Sequence, residues 1–201
     1  MSTSENSWIQ TLEYAKIVGV LRAASPENAT SMATTAFTHG LRSLELTFTV
    51  PDAANVIREL INQHPNQHIG AGTVTQVSQA RAAIDAGAQY LVSPSFSVEV
   101  ASVAQDANVP YIPGVLTPTE VQTALDAGIE VVKIFPITRA GGVSYLKDLL
   151  GPYPDLKVMV TGGVTLEQTS SYLDAGALAV GLGSVFKDAS KLATTLQELD
   201  R

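Results

Sequence analysis

Ser43-Leu44-Glu45-Leu46-Thr47-Phe48-Thr49 alternates polar and apolar residues without a break. A period of two marks a β-strand, with Leu44, Leu46 and Phe48 on one face and Ser43, Glu45, Thr47 and Thr49 on the other. An edge strand of an antiparallel sheet, its polar face in water, gives the same pattern. The flanking sequence argues for something else. Upstream, Ser25-Pro26 starts a helix with Ser at the N-cap and Pro in the first turn, and Ala29, Met32, Ala33, Ala36 and Phe37 follow at helical spacing up to Gly40. Downstream, a helix from Pro51 or Asp52 carries Val56, Ile57, Leu60 and Ile61 and stops at Pro65. A strand between helices pairs in parallel and is buried on both faces. Its polar face therefore looks into a polar interior, and Glu45 is in it.

The same alternation of strand and helix runs through the whole chain. Strands are expected at 17–21, 68–74, 90–92, 111–115, 131–136, 157–160 and 178–182, the fifth broken by Pro113-Gly114. Thr117-Pro118-Thr119-Glu120 and Thr165-Leu166-Glu167-Gln168 are capping boxes that open helices. Gly40, Gly87, Gly128 and Gly176 close helices. Eight strand–helix units predict an α/β chain folded as a single (β/α)8 TIM barrel over residues 1–201, with a short amphipathic helix around Trp8 to Leu12 ahead of the first strand. The alternative is an open doubly wound sheet. It is disfavoured by even spacing and by the lack of a Gly-x-Gly-x-x-Gly turn after the first strand.

The composition excludes several classes of function. Net charge is −7 and the basic residues are scattered, which argues against a nucleic-acid partner or an anionic membrane. With no cysteine there is no disulfide, zinc–thiolate site or thiol nucleophile. Met1 to Asn6 lack the character of a signal peptide, and no apolar run reaches the roughly 18 residues of a membrane helix. The expected setting is the cytoplasm.

Val131-Val132-Lys133-Ile134-Phe135-Pro136 carries the most telling side chain. Lys133 lies in an apolar strand, and by parity it shares a face with Phe135 and opposes Val132 and Ile134. Burial disfavours a charged ammonium, so a lysine in such a place can serve as a neutral nucleophile. A lysine near a strand end can also snorkel to the surface. In a barrel the chemistry sits at the carboxyl ends of the strands. This sequence puts Arg22, Glu45, Thr47, Thr73, Ser93, Pro94, Lys133, Phe135, Thr161, Gly162, Gly163, Gly183 and Ser184 there. His39, His64 and His68 fall at helix ends or a strand start, so no imidazole metal site and no metal cofactor is expected. Gly162-Gly163 and Gly183-Ser184 are either tight turns or an anion cradle of backbone N–H groups. A buried Lys133–Glu45 pair reads as catalytic or as an internal salt bridge. The second is the weaker account, because desolvation cancels much of the attraction.

At these residues the chain resembles the class I 2-keto-3-deoxy-6-phosphogluconate (KDPG) and 4-hydroxy-2-oxoglutarate (KHG) aldolases. The motifs are Glu-Leu-Thr-Phe-Thr at 45–49, Gly-Ala-Gly-Thr-Val at 70–74, Ser-Pro at 93–94, Ile-Pro-Gly-Val-Leu-Thr-Pro-Thr-Glu at 112–120, Lys-Ile-Phe-Pro at 133–136, Thr-Gly-Gly-Val at 161–164 and Gly-Leu-Gly-Ser at 181–184. The resemblance implies Lys133 as the Schiff-base lysine and Glu45 as the proton carrier. It further implies Thr73, Pro94 and Phe135 around a pyruvyl group, Thr161 at a carboxylate, and the two glycine turns at a phosphate. No cofactor, a phosphorylated keto acid as the small-molecule substrate and a homotrimer also follow from it. Many members carry arginine where this chain has Thr49, whereas others read Phe-Thr-Val-Pro as here. Arg22 could supply the missing charge or be a solvated surface residue. KHG cleavage to pyruvate and glyoxylate, a metal-dependent aldolase or epimerase, and a catalytically silent phosphosugar-binding barrel are the competing expectations.

Overall fold

Eight short parallel strands ring one axis in a computed structural model that describes residues 7–200. The expectation made for Met1 to Asn6 lies outside the described residues. Helix α1 (Ser7–Ala15) precedes β1 (Ile17–Leu21), α2 (Pro26–Thr38), β2 (Ser43–Thr47), α3 (Ala53–Gln63), β3 (His68–Gly72), α4 (Val77–Asp85), β4 (Leu91–Val92) and α5 (Val98–Asp106). Strand β5 comes in two pieces, Tyr111–Ile112 and Gly114–Val115, either side of Pro113. It is followed by α6 (Pro118–Asp126), β6 (Val131–Ile134), α7 (Ile137–Ala140), α8 (Gly142–Leu150), β7 (Lys157–Thr161), α9 (Thr169–Asp174), β8 (Ala179–Leu182) and α10 (Ala189–Leu199). The first piece of β5 pairs with β4 and the second with β6, so the chain itself closes the ring at Pro113. The fold is a (β/α)8 barrel.

Strand parity sorts the apolar residues into two cores. Leu44, Leu46, Val132, Ile134, Val158 and Val160 point outward and pack with the helices. Val18, Tyr90, Val92, Ile112, Val131, Met159 and Ala179 point inward and meet Ile9 and Leu12 of α1, which plugs the amino end of the barrel. The polar residues Ser43, Glu45 and Thr47 also point inward and are buried. Burying both faces of each strand while one interior layer stays polar accounts for the alternation in β2 beside the continuous apolar run of β6.

Local signals set most boundaries. Ser25 caps α2 by accepting from Asn28 N–H at 3.3 Å, and Pro26 opens it. Thr117 and Glu120 cap each other: Thr117 N–H donates to Glu120 Oε2 at 2.8 Å, and Glu120 N–H donates to Thr117 Oγ1 at 3.3 Å. Several expected boundaries move. Strand β2 stops at Thr47, because Val50 N–H turns back to the Thr47 carbonyl at 3.0 Å; Thr49 is exposed, not on the interior face. Strand β3 stops at Gly72, since Thr73 takes φ 56° and leaves the extended path. Before Gly151 there are two helices rather than one, separated at Gly141 with φ 127°. The capping box at Thr165 opens a turn of 3₁₀ helix, Leu166–Gln168, before α9.

Candidate active site

Lys133 and Glu45 meet in the interior. The Lys133 ammonium donates to Glu45 Oε1 at 3.2 Å, with Glu45 fully buried and Lys133 7% exposed. The second carboxylate oxygen, Glu45 Oε2, has no partner among the described residues. Lys133 Nζ also lies 5.6 Å from the centre of the Phe135 ring, within cation–π range. Room for the carboxylate comes from β3: a Cβ on Gly72 would stand 3.0 Å from Glu45 Cδ and Oε1. A charged pair taken so far out of water is poor as a stabilising device, which leaves chemistry as the better reason for it.

One layer below, Ser43 Oγ and the Tyr90 hydroxyl are hydrogen-bonded at 3.0 Å. Burial pushes the Tyr90 phenol above its ordinary value, so it stays protonated. His68 packs on the Tyr90 ring, centroids 4.7 Å apart, and burial holds its imidazole down at about 4. His39 and His64 cap the ends of α2 and α3. Among the described residues no three His, Cys, Asp or Glu side chains come together as a metal site.

Above the pair a cavity of about 380 Å³ opens at the carboxyl end of the barrel. Of the residues picked from sequence, Arg22, Lys133, Phe135, Thr161, Gly162, Gly163 and Gly183 line it. Pro94 lines a neighbouring cavity of about 280 Å³ that shares the Phe135 ring. Ser184 opens the 3₁₀ turn after Gly183, and its Oγ is buried without a partner, as is Thr161 Oγ1. Thr47 Oγ1 is occupied structurally: it donates to the Leu21 carbonyl at 2.9 Å and pairs with Thr49 Oγ1 at 2.7 Å. Ser93 is likewise used in the fold, donating to the Val74 carbonyl. Thr73 sits half-buried at the end of β3.

The sequence reading missed Lys187, whose exposed side chain joins Arg22 and Lys133 in the cavity wall. Its only sequence signal was its place three residues after Ser184. Val20, Met32 and Phe186 complete an apolar side of the wall.

An amine and a carboxylate in contact beneath an open cavity, with two hydroxyls still lacking partners, is equipment for Schiff-base chemistry on a carbonyl compound. The chain matches the family described as "Aldolase: KDPG and KHG aldolase" over residues 9–200, and it belongs to that family. It is 37% identical over 186 residues to the 2-dehydro-3-deoxy-phosphogluconate aldolase of Haemophilus influenzae, covering 92% of this chain and 88% of that one. The KDPG aldolase of Legionella pneumophila, solved with pyruvate captured as a covalent carbinolamine, superposes with a TM-score of 0.84 at 29% identity, covering 94% of this chain and 96% of that one. The Zymomonas mobilis ZM4 enzyme, solved with 3-phosphoglycerate, gives a TM-score of 0.87 at 26% identity over 97% of this chain and 95% of the other. No helix among the described residues is long and apolar enough to cross a membrane.

Proposed function

We propose that this chain is a class I aldolase that reversibly cleaves KDPG to pyruvate and glyceraldehyde 3-phosphate. The observation that carries the proposal is the 3.2 Å contact between buried Lys133 and buried Glu45 at the floor of the cavity. Glu45 Oε1 is placed to take a proton from the ammonium, freeing the amine to attack the C2 ketone. The protonated carboxyl returns that proton to the carbinolamine hydroxyl, which leaves as water and gives a protonated imine that draws electrons from the C3–C4 bond. Glu45, directly or through a water, takes the proton of the C4 hydroxyl as that bond breaks and the aldehyde leaves. Glu45 then delivers that proton to C3 of the enamine, and water releases pyruvate from Lys133.

The rest of the cavity suits the remaining groups of this substrate. Thr161 Oγ1 is a free donor near the lysine for the carboxylate. Phe135, with Pro94 and Thr73 beyond it, bounds the pyruvyl group. Gly162, Gly163, Gly183 and Ser184 offer backbone and hydroxyl donors to the phosphate, with Arg22 adding charge at the mouth. The covalent pyruvate carbinolamine named for the Legionella structure and the 3-phosphoglycerate named for the Zymomonas structure support a phosphorylated keto acid as the class of substrate. A homotrimer in the cytoplasm working without a cofactor completes the reading.

Borohydride reduction in the presence of pyruvate tests it. The expected result is inactivation with one reduced pyruvyl group on Lys133. An adduct mapped to Lys16 or Lys147, or none at all, overturns the assignment.

A further inference from the structure

Beyond Lys133 the chain passes through Pro136 into α7, and Thr138 there grips the exit of the neighbouring strand β7. The Gly162 carbonyl accepts two hydrogen bonds from this one residue, from the Thr138 N–H at 3.2 Å and from Thr138 Oγ1 at 2.6 Å. Two donors fix the direction of that carbonyl. The Gly162–Gly163 peptide is trans and planar, so the Gly163 N–H points the opposite way. It points away from Thr138, and Gly162 and Gly163 line the cavity there. The Gly163 N–H donates to no acceptor among the described residues. Both glycines have positive φ, +100° and +83°, and a Cβ on Gly163 would stand 2.9 Å from Thr138 Oγ1. Any side chain there would force the turn off α7.

We propose that Thr138 is a positioning residue that aims the Gly163 N–H at the phosphate of the substrate. Thr138 lies five residues after Lys133 on the same segment. That segment therefore sets the span between the imine and the anion, acting as a ruler for substrate length. The proposal rests on the phosphorylated keto acid reading above and deepens it. The hydroxyl is the shorter of the two bonds, and it can be removed without touching the backbone. The side chain is exposed, so its replacement does not disturb the core.

The test compares parent, Thr138→Val and Thr138→Ser in steady-state cleavage of KDPG and KHG, with inorganic phosphate as inhibitor. In Thr138→Val the KM for KDPG should rise about tenfold, within the range of one charge-assisted hydrogen bond, and kcat should fall much less. Inhibition by phosphate should weaken by the same factor, and the ratio of kcat/KM for KDPG over KHG should fall about tenfold. Thr138→Ser should restore each value. Equal losses on both substrates, no loss, or a loss that serine does not repair overturns the proposal. Pyruvate trapping on the parent enzyme reads the aldolase assignment separately. If trapping fails the reading above is wrong, whereas trapping with an unmoved substrate ratio overturns the role of Thr138 alone.

Discussion

Gly72→Ala is the smallest change that should reach the chemistry, because it touches only space. Gly72 has no positive φ, so alanine can adopt its backbone conformation without strain. The new methyl would lie 3.0 Å from Glu45 Oε1, which is 0.4 Å inside the 3.4 Å of ordinary contact. Gly72 is part of a paired strand, so the Glu45 side chain is the partner that must give. A retreat of that size along the hydrogen-bond axis takes the 3.2 Å contact with Lys133 to about 3.6 Å, where no hydrogen bond remains. Misplacing a catalytic group by an ångström costs on the order of 10²-fold, so a loss of roughly 10-fold to 10²-fold in kcat is expected. Overpacking should destabilise by about 1–3 kcal/mol, less the small gain from stiffening the unfolded chain. The assay is pyruvate release coupled to lactate dehydrogenase, run beside the double variant Gly72→Ala/Glu45→Gln. If the methyl acts through Glu45, the double variant is no slower than Glu45→Gln alone. Turnover within twofold of the parent, or losses that multiply in the double variant, would refute the reasoning.

Glu45→Gln keeps the size of the side chain and should cost on the order of 10²–10⁴-fold in turnover, while pyruvate trapping slows less; near-normal turnover would show that another group moves the protons. For His68, burial lowers the imidazole from 6.5 to about 4 in the folded state, so the unfolded chain binds more protons between those values. Its contribution is full above pH 6.5 and is lost as pH falls towards 4, about 3 kcal/mol in all. The urea midpoint of the parent should therefore drop more between pH 7.5 and 4.5 than that of His68→Gln; parallel drops would sink the account.

Much of this architecture was readable because it rests on local rules. Ser25-Pro26 and Thr117-Glu120 announce helix starts through bonds made within four residues, and the period of two in β2 reports burial on two unlike faces. Glu45 and Lys133 stood out because a charged group among apolar neighbours needs an explanation. What stayed hidden depends on residues distant in sequence. Tyr90 fills the barrel interior over Gly70, where a Cβ would lie 2.5 Å from its ring, and nothing near Tyr90 in sequence says so. The hold of Thr138 on Gly162 spans 24 residues, and its hydroxyl looks like any threonine on a short helix. The bond from the Thr47 hydroxyl to the Leu21 carbonyl joins residues 26 apart, and its place on the polar face did not announce it.

The plug that α1 forms under the barrel decides how the reaction communicates with solvent. Ile9 and Leu12 pack at the lower end with Val18, Val131 and Met159, while the cavity that Lys133 lines opens at the carboxyl end. That cavity is the doorway the barrel offers to water for imine hydrolysis and to the departing aldehyde. While the aldehyde stands in it, the enamine is shielded from water, and the carbon–carbon bond can re-form before the intermediate is lost to hydrolysis. Recombination ahead of hydrolysis thus has an architectural origin. A vessel with one opening keeps its two fragments together until the second has left.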